Sequence, residues 1–279
     1  MTLRCLAPGK VNLSLYVGAP REDGLHPLVS VVQPVSLADE LTLEPARGAD
    51  ADEVVCPGVE GENLAGAALA AFRAATGWDA PPQRLTIRKR VPVAAGMGGG
   101  SGDAAAALRL AAHAAGVHDH ALLLELAARL GGDVPSQVAP GRTLMTGAGE
   151  RVRALPATGT VALVILPSDH ALFTPAVYRE FDRLGVQRSA AELAELEAAG
   201  GDLPVHNDLQ DAARSLCPPI DEALARVAAT GAGRVLVSGS GPTVFGLYDD
   251  PARAGAAAAT LGGIAAEPVD AAFGAVHEA

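Results

Sequence analysis

The chain has 279 residues, of which 49% are apolar and 3% aromatic, and it carries a formal net charge of −11. This length and apolar fraction allow a substantial core, built mainly from Ala, Val and Leu, without disulfides or structural metals. The acidic balance argues against nucleic acid as a partner, because phosphate-backbone binding depends on clustered Lys and Arg.

Alternating apolar and polar residues predict that the first 50 residues form short strands joined by turns. Strands and helices then alternate irregularly along the chain. The predicted strands occupy 11–18, 28–37, 39–45 and 85–93, and the predicted helices occupy 62–77, 103–116 and 120–130. Gly131 ends the last of these helices in the usual C-terminal position.

After Gly149 a second series of predicted strands and helices begins. Strands are predicted at 152–156, 161–167, 234–241 and 243–248, and helices at 190–199, at 220–230 and in a final Ala-rich segment. The steady strand–helix–strand repeat of a doubly wound sheet is missing. We therefore predict an α+β fold of two lobes, residues 1–152 and 153–279, with a boundary near 150–158 and a site between them.

Three cysteines, Cys5, Cys56 and Cys217, lie far apart and form no Cys-x-x-Cys pair. This spacing argues against a disulfide framework and against a thiolate metal site. The N-terminus lacks the apolar core of a signal peptide, and the longest apolar run, 161–166, is too short to cross a bilayer. We expect a cytoplasmic protein with no membrane partner.

A glycine-rich segment, residues 92–103, lies between a predicted strand and an Ala-rich helix. Its backbone N–H groups and the positive end of the helix would form a concavity suited to polyphosphate, so we predict a nucleoside triphosphate as ligand. The segment matches none of GxxxxGK[ST], GxGxxG and GxSxG. Gly99 and Gly100 are expected to need a φ that side chains disfavour, and Asp103 is interpreted as the N-cap of the helix. The alternative is a flexible turn that happens to be rich in glycine.

Two further segments accompany this loop. Lys10, one of only two lysines among 21 basic residues, and Asn12 project from the same face of a predicted strand. Residues 237–245 read as a strand, a tight glycine turn containing Gly239 and Ser240, and a second strand. Taken singly, Lys10 could be a solvated surface charge and the second segment an ordinary hairpin.

Together PGKVNLSL, PVAAGMGGGSGDAAAAL and VSGSGPTVFG resemble the three ordered signature motifs of the GHMP kinases, named for galactokinase, homoserine kinase, mevalonate kinase and phosphomevalonate kinase. REDGLH, LGGDVPSQV, TPAVYREFD and HNDLQ resemble the branch that phosphorylates a cytidine diphosphate-linked methylerythritol in isoprene biosynthesis. The resemblance implies a two-lobed GHMP kinase fold with the active site between the lobes. It also implies ATP and Mg²⁺ as cofactors.

The resemblance assigns roles to particular residues. Asp133 matches the family's catalytic base and Lys10 its partner lysine. For the substrate, His26 would hydrogen-bond the cytosine and Tyr178 would stack on it, with Asn12, Gly239 and Ser240 nearby. Taken singly, His26 and Tyr178 could equally be packing residues. The residues implied in ATP binding are Pro92, Val93, Ala94, Ala95, Gly96, Met97, Gly98, Gly99, Gly100, Ser101 and Gly102. The resemblance does not identify the ligands of the metal. Read without the family, Asp133 could equally be a turn residue.

Three positions depart from the family pattern: Leu25 stands where an aromatic is usual, Gly9 where Ala is usual, and Gly102 where Ser or Ala is usual. Leu25 cannot offer an aromatic face to cytosine, so either the substrate stacks on Tyr178 alone or it is not a cytidine nucleotide. Gly9 brings its motif closer to the galactokinase and mevalonate kinase pattern, which keeps a sibling kinase of mevalonate, homoserine or a sugar open. A non-catalytic nucleotide sensor is a further alternative, but it would be expected to lose the base or the lysine. We expect a monomer or a weak homodimer.

Overall fold

Two long antiparallel strands, β1 (Leu3–Val17) and β2 (Leu28–Pro45), organise the first part of the computed structural model, which describes residues 1–157 and 161–279. Sequence patterning predicted the second of these as two strands, at 28–37 and 39–45. It is one strand whose pairing with β1 shifts register between Pro8 and Lys10 and again between Asn12 and Ser14. Such bulges redirect side chains, and here they flank Lys10 and Asn12.

The described residues form two sheets. The first also contains β3 (Glu53–Val55), β4 (Gln83–Arg88), β5 (Thr143–Gly147), β6 (Arg151–Ala154), β8 (His206–Asn207) and β12 (His277–Glu278). The second has the order β11-β7-β10-β9, with β7 (Ala162–Leu166), β9 (Arg234–Val237), β10 (Val244–Tyr248) and β11 (Ile264–Ala266). The prediction of an α+β fold is confirmed.

Helices cover both sheets. They are α1 (Leu64–Thr76), α2 (Gly99–Ala115), α3 (His120–Leu130), α4 (Pro135–Val138), α5 (Thr174–Leu184), α6 (Ala190–Ala199), α7 (Gln210–Leu216), α8 (Pro219–Ala229) and α9 (Pro251–Leu261), followed by a 3₁₀ turn at Ala271–Gly274. The bounds predicted for α3 and α6 are confirmed to the residue. Asn63 and Gly77 cap α1, as expected for a helix placed at 62–77.

Small side chains bring α2 close to the first sheet. Ala104, Ala105, Ala106 and Ala107 are fully buried in a core that also contains Leu41 and Phe72. Alanine adds little bulk, so the helix axis can approach both α1 and β1 closely. A Cβ atom at Gly102 would lie 3.1 Å from the Pro8 carbonyl oxygen, which explains why glycine suits this position.

Later parts of the chain return to the first sheet: β8 runs parallel to β1 and β12 pairs with it antiparallel. The division into lobes 1–152 and 153–279 therefore stays a prediction. Residue 158, at the end of the predicted boundary stretch, lies outside the described residues.

Candidate active site

The glycine-rich loop connects β4 to α2 through residues with unusual backbone angles. Ala94, Gly96 and Gly98 have φ values of 55°, 73° and 65°, and Gly98 is the N-cap of α2. A Cβ atom at Gly96 would lie 2.3 Å from the Ser238 carbonyl oxygen, so this position requires glycine. The first-turn N–H groups of α2 follow directly, as an anion site needs.

Two expectations about this loop were wrong. Gly99 and Gly100 lie in the first turn of α2 and need no positive φ; the unusual angles belong to Gly96 and Gly98. Asp103 is not an N-cap, because α2 begins at Gly99 and Asp103 is already inside the helix. The run of glycines concealed that first turn, since glycine is a poor helix former.

Asp103 instead belongs to a buried ionic group with Asp39 and Lys89, here called the Lys89 cluster. The Lys89 ammonium donates to Asp39 Oδ2 at 2.5 Å and to Asp103 Oδ2 at 2.7 Å. The other oxygen of Asp39 accepts the backbone N–H groups of Arg90 and Val91. The other oxygen of Asp103 finds no hydrogen-bond partner within residues 1–157 and 161–279. The two carboxylates are therefore unequally supported.

The titration of the Lys89 cluster reflects that inequality. Burial, together with the nearby charge of Asp39, raises the pKa of Asp103 to about 7, against the opposing effect of Lys89. Burial lowers the pKa of Lys89, but the attraction of Asp103 and Asp39 outweighs burial and raises it overall. One ammonium cannot fully compensate two buried carboxylates, so Asp103, the less supported one, holds a proton most easily.

Lys10 and Asp133 meet at the cavity. The Lys10 ammonium lies 3.4 Å from Asp133 Oδ2; the lysine side chain is 4% exposed and the aspartate side chain 36%. Lys10 also donates to Asn12 Oδ1 at 2.9 Å and to the Gly96 carbonyl at 3.2 Å. Asp133 follows the end of α3, between Gly131 and α4. The predicted same-face placement of Lys10 and Asn12 is confirmed by their hydrogen bond.

All three glycine-bearing segments meet at Gly96. Its carbonyl accepts Lys10 from the first segment and the Ser238 hydroxyl, at 3.0 Å, from the third. The backbone N–H of Lys10 donates to the Met97 carbonyl at 2.8 Å. A Cβ atom at Gly239 would lie 3.2 Å from Lys10 Nζ. Gly239 and the lysine are thus close neighbours.

Around this junction is a cavity of about 530 Å³, within the usual size of small-ligand sites. Its lining includes Lys10, Asp133, residues 92–101 of the loop and first turn, and the Lys89 cluster residues Lys89 and Asp103. Two further stretches contribute: residues around 56–64, before and at the start of α1, and residues 172–178, at the start of α5. The lining thus has two further stretches in addition to the glycine-rich loop.

The start of α5 places Tyr178 in the lining and His26 behind it. Their ring centroids are 4.9 Å apart with planes at 45°. The His26 ring nitrogens face the Gly18 carbonyl at 2.9 Å and Asp182 Oδ2 at 3.4 Å. Burial raises the pKa of Tyr178, and the charge of Asp133 raises it further. Tyr178 therefore stays protonated and close to the candidate base.

Ser240 and Thr174 link the third glycine segment to α5, through hydroxyl groups 2.9 Å apart. Leu25, in contrast, is 52% exposed and is not among the lining residues. The departure at position 25 thus lies outside the cavity as the chain is arranged here.

Sequence reasoning missed the Lys89 cluster and the exposed ring of Phe173, which also lines the cavity. The scarcity of lysine was a usable signal for the first, because both lysines of the chain line this cavity. No sequence pattern marked Asp39, which is fully buried although it stands in an ordinary alternating strand.

No group of three or more His, Cys, Asp or Glu side chains is arranged to hold a metal in residues 1–157 and 161–279. Over the same described ranges, none of the helices combines the length and apolar character needed to span a membrane.

Two family profiles match the chain. "GHMP kinases N terminal domain" matches residues 63–141 and "GHMP kinases C terminal" matches residues 178–264. Together the matched residues make up more than half of the chain, and they include Asp133 and the whole glycine-rich loop.

Individual proteins are similar over nearly the whole chain. A 4-diphosphocytidyl-2-C-methyl-D-erythritol kinase of Streptomyces coelicolor is 43% identical, over 94% of this chain and 92% of the relative. A crystal structure of 4-(cytidine 5'-diphospho)-2C-methyl-D-erythritol kinase superposes with a TM-score of 0.78 at 37% identity, covering 96% of this chain and 99% of that one. A homoserine kinase from Cytophaga hutchinsonii gives 0.72 at 15% identity, over 99% and 97% of the two chains, which indicates a shared fold.

Proposed function

Because the chain belongs to the GHMP kinases, and within them to the 4-diphosphocytidyl-2-C-methyl-D-erythritol kinases, we propose that its cavity transfers the γ-phosphoryl group of ATP to that compound. The acceptor is the 2-hydroxyl group. The observation that carries this proposal is the pairing of Lys10 with Asp133 beside the glycine-rich loop.

Asp133 is the proposed general base. Its carboxylate is exposed to the cavity, whereas its partner Lys10 is buried, so Asp133 is the member of the pair that can reach an acceptor hydroxyl. The Lys10 ammonium lies 3.4 Å from this carboxylate, and a carboxylate within reach of an acceptor hydroxyl can take its proton. Asn12 and the Gly96 carbonyl fix the position of the ammonium. Lys10 can then also stabilise negative charge on the transferring phosphoryl group.

The loop and the first turn of α2 are assigned to the phosphates of ATP. Ser101 and the free N–H groups of this turn offer hydrogen bonds and the positive end of a helix. Bound Mg²⁺ would supply positive charge next to the phosphates of ATP. Proteins hold this ion mainly through substrate phosphates, water and one or two carboxylates, and the carboxylates that line the cavity are those of Glu62, Asp103 and Asp133.

We assign one of the two remaining stretches of lining to each substrate. We assign the stretch around 56–64 to the nucleoside of ATP, because it adjoins α1 in the same part of the fold as the loop. The start of α5 is assigned to the acceptor, because Tyr178 lies near Asp133 and offers an aromatic face. His26 packs against Tyr178 from behind. Its ring nitrogens face the Gly18 carbonyl and Asp182, and it is not among the lining residues, so the contact with the cytosine edge predicted from the sequence would require His26 to give up one of these partners. Gly239, Ser240 and Asn12 complete the acceptor side next to Lys10.

The test is a coupled ATP assay on the purified chain with 4-diphosphocytidyl-2-C-methyl-D-erythritol, mevalonate, homoserine and galactose as acceptors. We expect turnover with the first compound. Asp133→Asn and Lys10→Ala should each lower kcat at least ~10²-fold while ATP affinity changes only a few-fold. Asp169→Asn, on an exposed loop outside the cavity, is the matched control and should behave as the parent chain.

Two results would contradict the proposal. Turnover confined to one of the other acceptors would remove the assigned substrate while leaving the kinase assignment intact. Undiminished kcat in Asp133→Asn would show that the acceptor proton goes to another group.

A further inference from the structure

Phe173 is a large apolar side chain in an unusual position. It is 70% exposed, whereas Phe72, Phe181 and Phe245 are fully buried. A single exposed apolar residue is ordinary on a protein surface. Phe173, however, is also part of the lining of the central cavity. Its ring is thus available to a ligand.

The backbone of Phe173 is held firmly although its ring is free. Phe173 is the N-cap of α5, and its carbonyl accepts the N–H groups of Ala176 at 2.8 Å and Val177 at 3.3 Å. The next residue, Thr174, is joined to Ser240 by a hydroxyl–hydroxyl hydrogen bond. The ring therefore projects from a fixed point at the edge of the cavity, and a ligand need not order the backbone there.

Phe173 and Tyr178 are the two aromatic side chains among the described residues that line this cavity. Both belong to the start of α5, five positions apart in the chain. A nucleobase has two flat faces, and each can stack on an aromatic ring. Tyr178, backed by His26 and Phe181, is a preformed wall for one face. The other face needs a cover that no described aromatic side chain except Phe173 can supply from this lining.

We propose that Phe173 is a specificity-determining residue that covers the second face of the pyrimidine base of the acceptor, opposite Tyr178. This inference rests on the proposed function, because it takes the acceptor to be a cytidine nucleotide. Leu25 does not compete for this role, since it is aliphatic and lies outside the lining. Covering a base removes the exposed ring from water, so binding and burial of Phe173 reinforce each other.

The experiment measures binding and turnover separately. Isothermal calorimetry gives Kd for cytidine diphosphate and for ATP, and the coupled assay gives KM and kcat for 4-diphosphocytidyl-2-C-methyl-D-erythritol. Phe173→Ala should raise the Kd for cytidine diphosphate and the acceptor KM by about 5-fold to 100-fold, the usual range for loss of one base-stacking ring. In Phe173→Ala, the Kd for ATP and the kcat should each change less than about 3-fold, which lies below that range.

Three control variants sharpen the result. Phe173→Leu keeps an apolar side chain without an aromatic face and should resemble Phe173→Ala. Phe173→Tyr keeps the ring and should restore affinity to within a few-fold of the parent chain. Val186→Ala alters another exposed apolar residue, 52% exposed and outside the cavity, and should leave every constant unchanged.

Several outcomes would overturn the inference. Unchanged cytidine diphosphate affinity in Phe173→Ala, in a parent chain that phosphorylates the cytidine acceptor, would refute the role of Phe173 and leave the proposed function standing. Weakened ATP binding would place the ring on the other nucleotide, and full affinity in Phe173→Leu would show an apolar cover in place of stacking. A change of mass in sedimentation would assign the ring to contact between copies. Failure of the parent chain to bind any cytidine nucleotide would instead refute the proposed substrate.

Discussion

Replacing Asp103 by asparagine tests the electrostatics of the Lys89 cluster. Burial raises the pKa of Asp103 from its ordinary 3.8 to about 7 in the folded chain. Between these two pH values the folded chain holds a proton that the unfolded chain has released. The corresponding stabilisation is fully present below pH 3.8 and is lost as the pH rises through 7. Asparagine does not titrate, so the variant should not lose this stabilisation as the pH rises.

The size of the effect follows from the difference between the two pKa values. Each unit corresponds to about 1.4 kcal/mol, so the linkage amounts to about 2.5 kcal/mol between pH 5 and pH 8. Because the Lys89 ammonium and the Asp103 carboxylate interact strongly, we expect a measured value of about 1 to 3 kcal/mol. The free energy of unfolding of Asp103→Asn should therefore rise by that amount relative to the parent chain over this interval.

Urea unfolding followed by circular dichroism at pH 5, 6, 7 and 8 measures this difference. Asp169→Asn, at an exposed aspartate, is the matched control. Its free energy of unfolding should differ from that of the parent chain by the same amount at every pH. A constant difference between Asp103→Asn and the parent chain at all four pH values would refute the reasoning. It would show that Lys89 keeps the Asp103 carboxylate ionised over this pH range.

Two further predictions concern the loop and the core. Gly96→Ala places a Cβ atom 2.3 Å from the Ser238 carbonyl at a φ of 73°, so ATP affinity in calorimetry should fall at least ~10-fold, while Gly255→Ala, in open space on α9, should leave affinity unchanged. Retained affinity in Gly96→Ala would show that the loop adjusts freely. Phe72→Ala empties a fully buried site, and urea unfolding monitored by the fluorescence of the adjacent Trp78 should show a loss of about 3 to 5 kcal/mol. A loss below about 1 kcal/mol would mean that the α1 core collapses around the gap.

Local sequence predicted those elements whose boundaries have a local cause. Asp119 and Gly131 bound α3, and Ser189 forms a complete capping box at the start of α6, so both helices could be located from sequence. The start of α2 has no such marker, because Gly98 caps it through its backbone angles alone. The continuity of β2 depends on its pairing with β1, which patterning within one strand does not reveal.

The residues of the candidate site could likewise be predicted only in part. Lys10, Asp133 and the loop could be named because they stand in recognisable motifs, and the structure brings them together. The Lys89 cluster depends on contact between Lys89 and Asp39, 50 positions apart, in segments that look like ordinary surface strands. Exposure of Phe173 is likewise a property of the folded surface. A pattern of polar and apolar residues reports only on the neighbouring sequence. The surroundings of Lys89, Asp39 and Phe173 are set by segments that are distant in the sequence.

The junction at Gly96 has a consequence for folding. Its carbonyl accepts hydrogen bonds from residues 86 and 142 positions away, so the glycine-rich loop acquires its final shape only after distant parts of the chain have docked. Contacts of such large sequence separation close late and slowly. A nucleotide that binds only the completed junction therefore stabilises the native state over every partly folded form, by RT ln(1 + [L]/Kd). In a refolding experiment, recovery of nucleotide binding should lag behind recovery of helical signal.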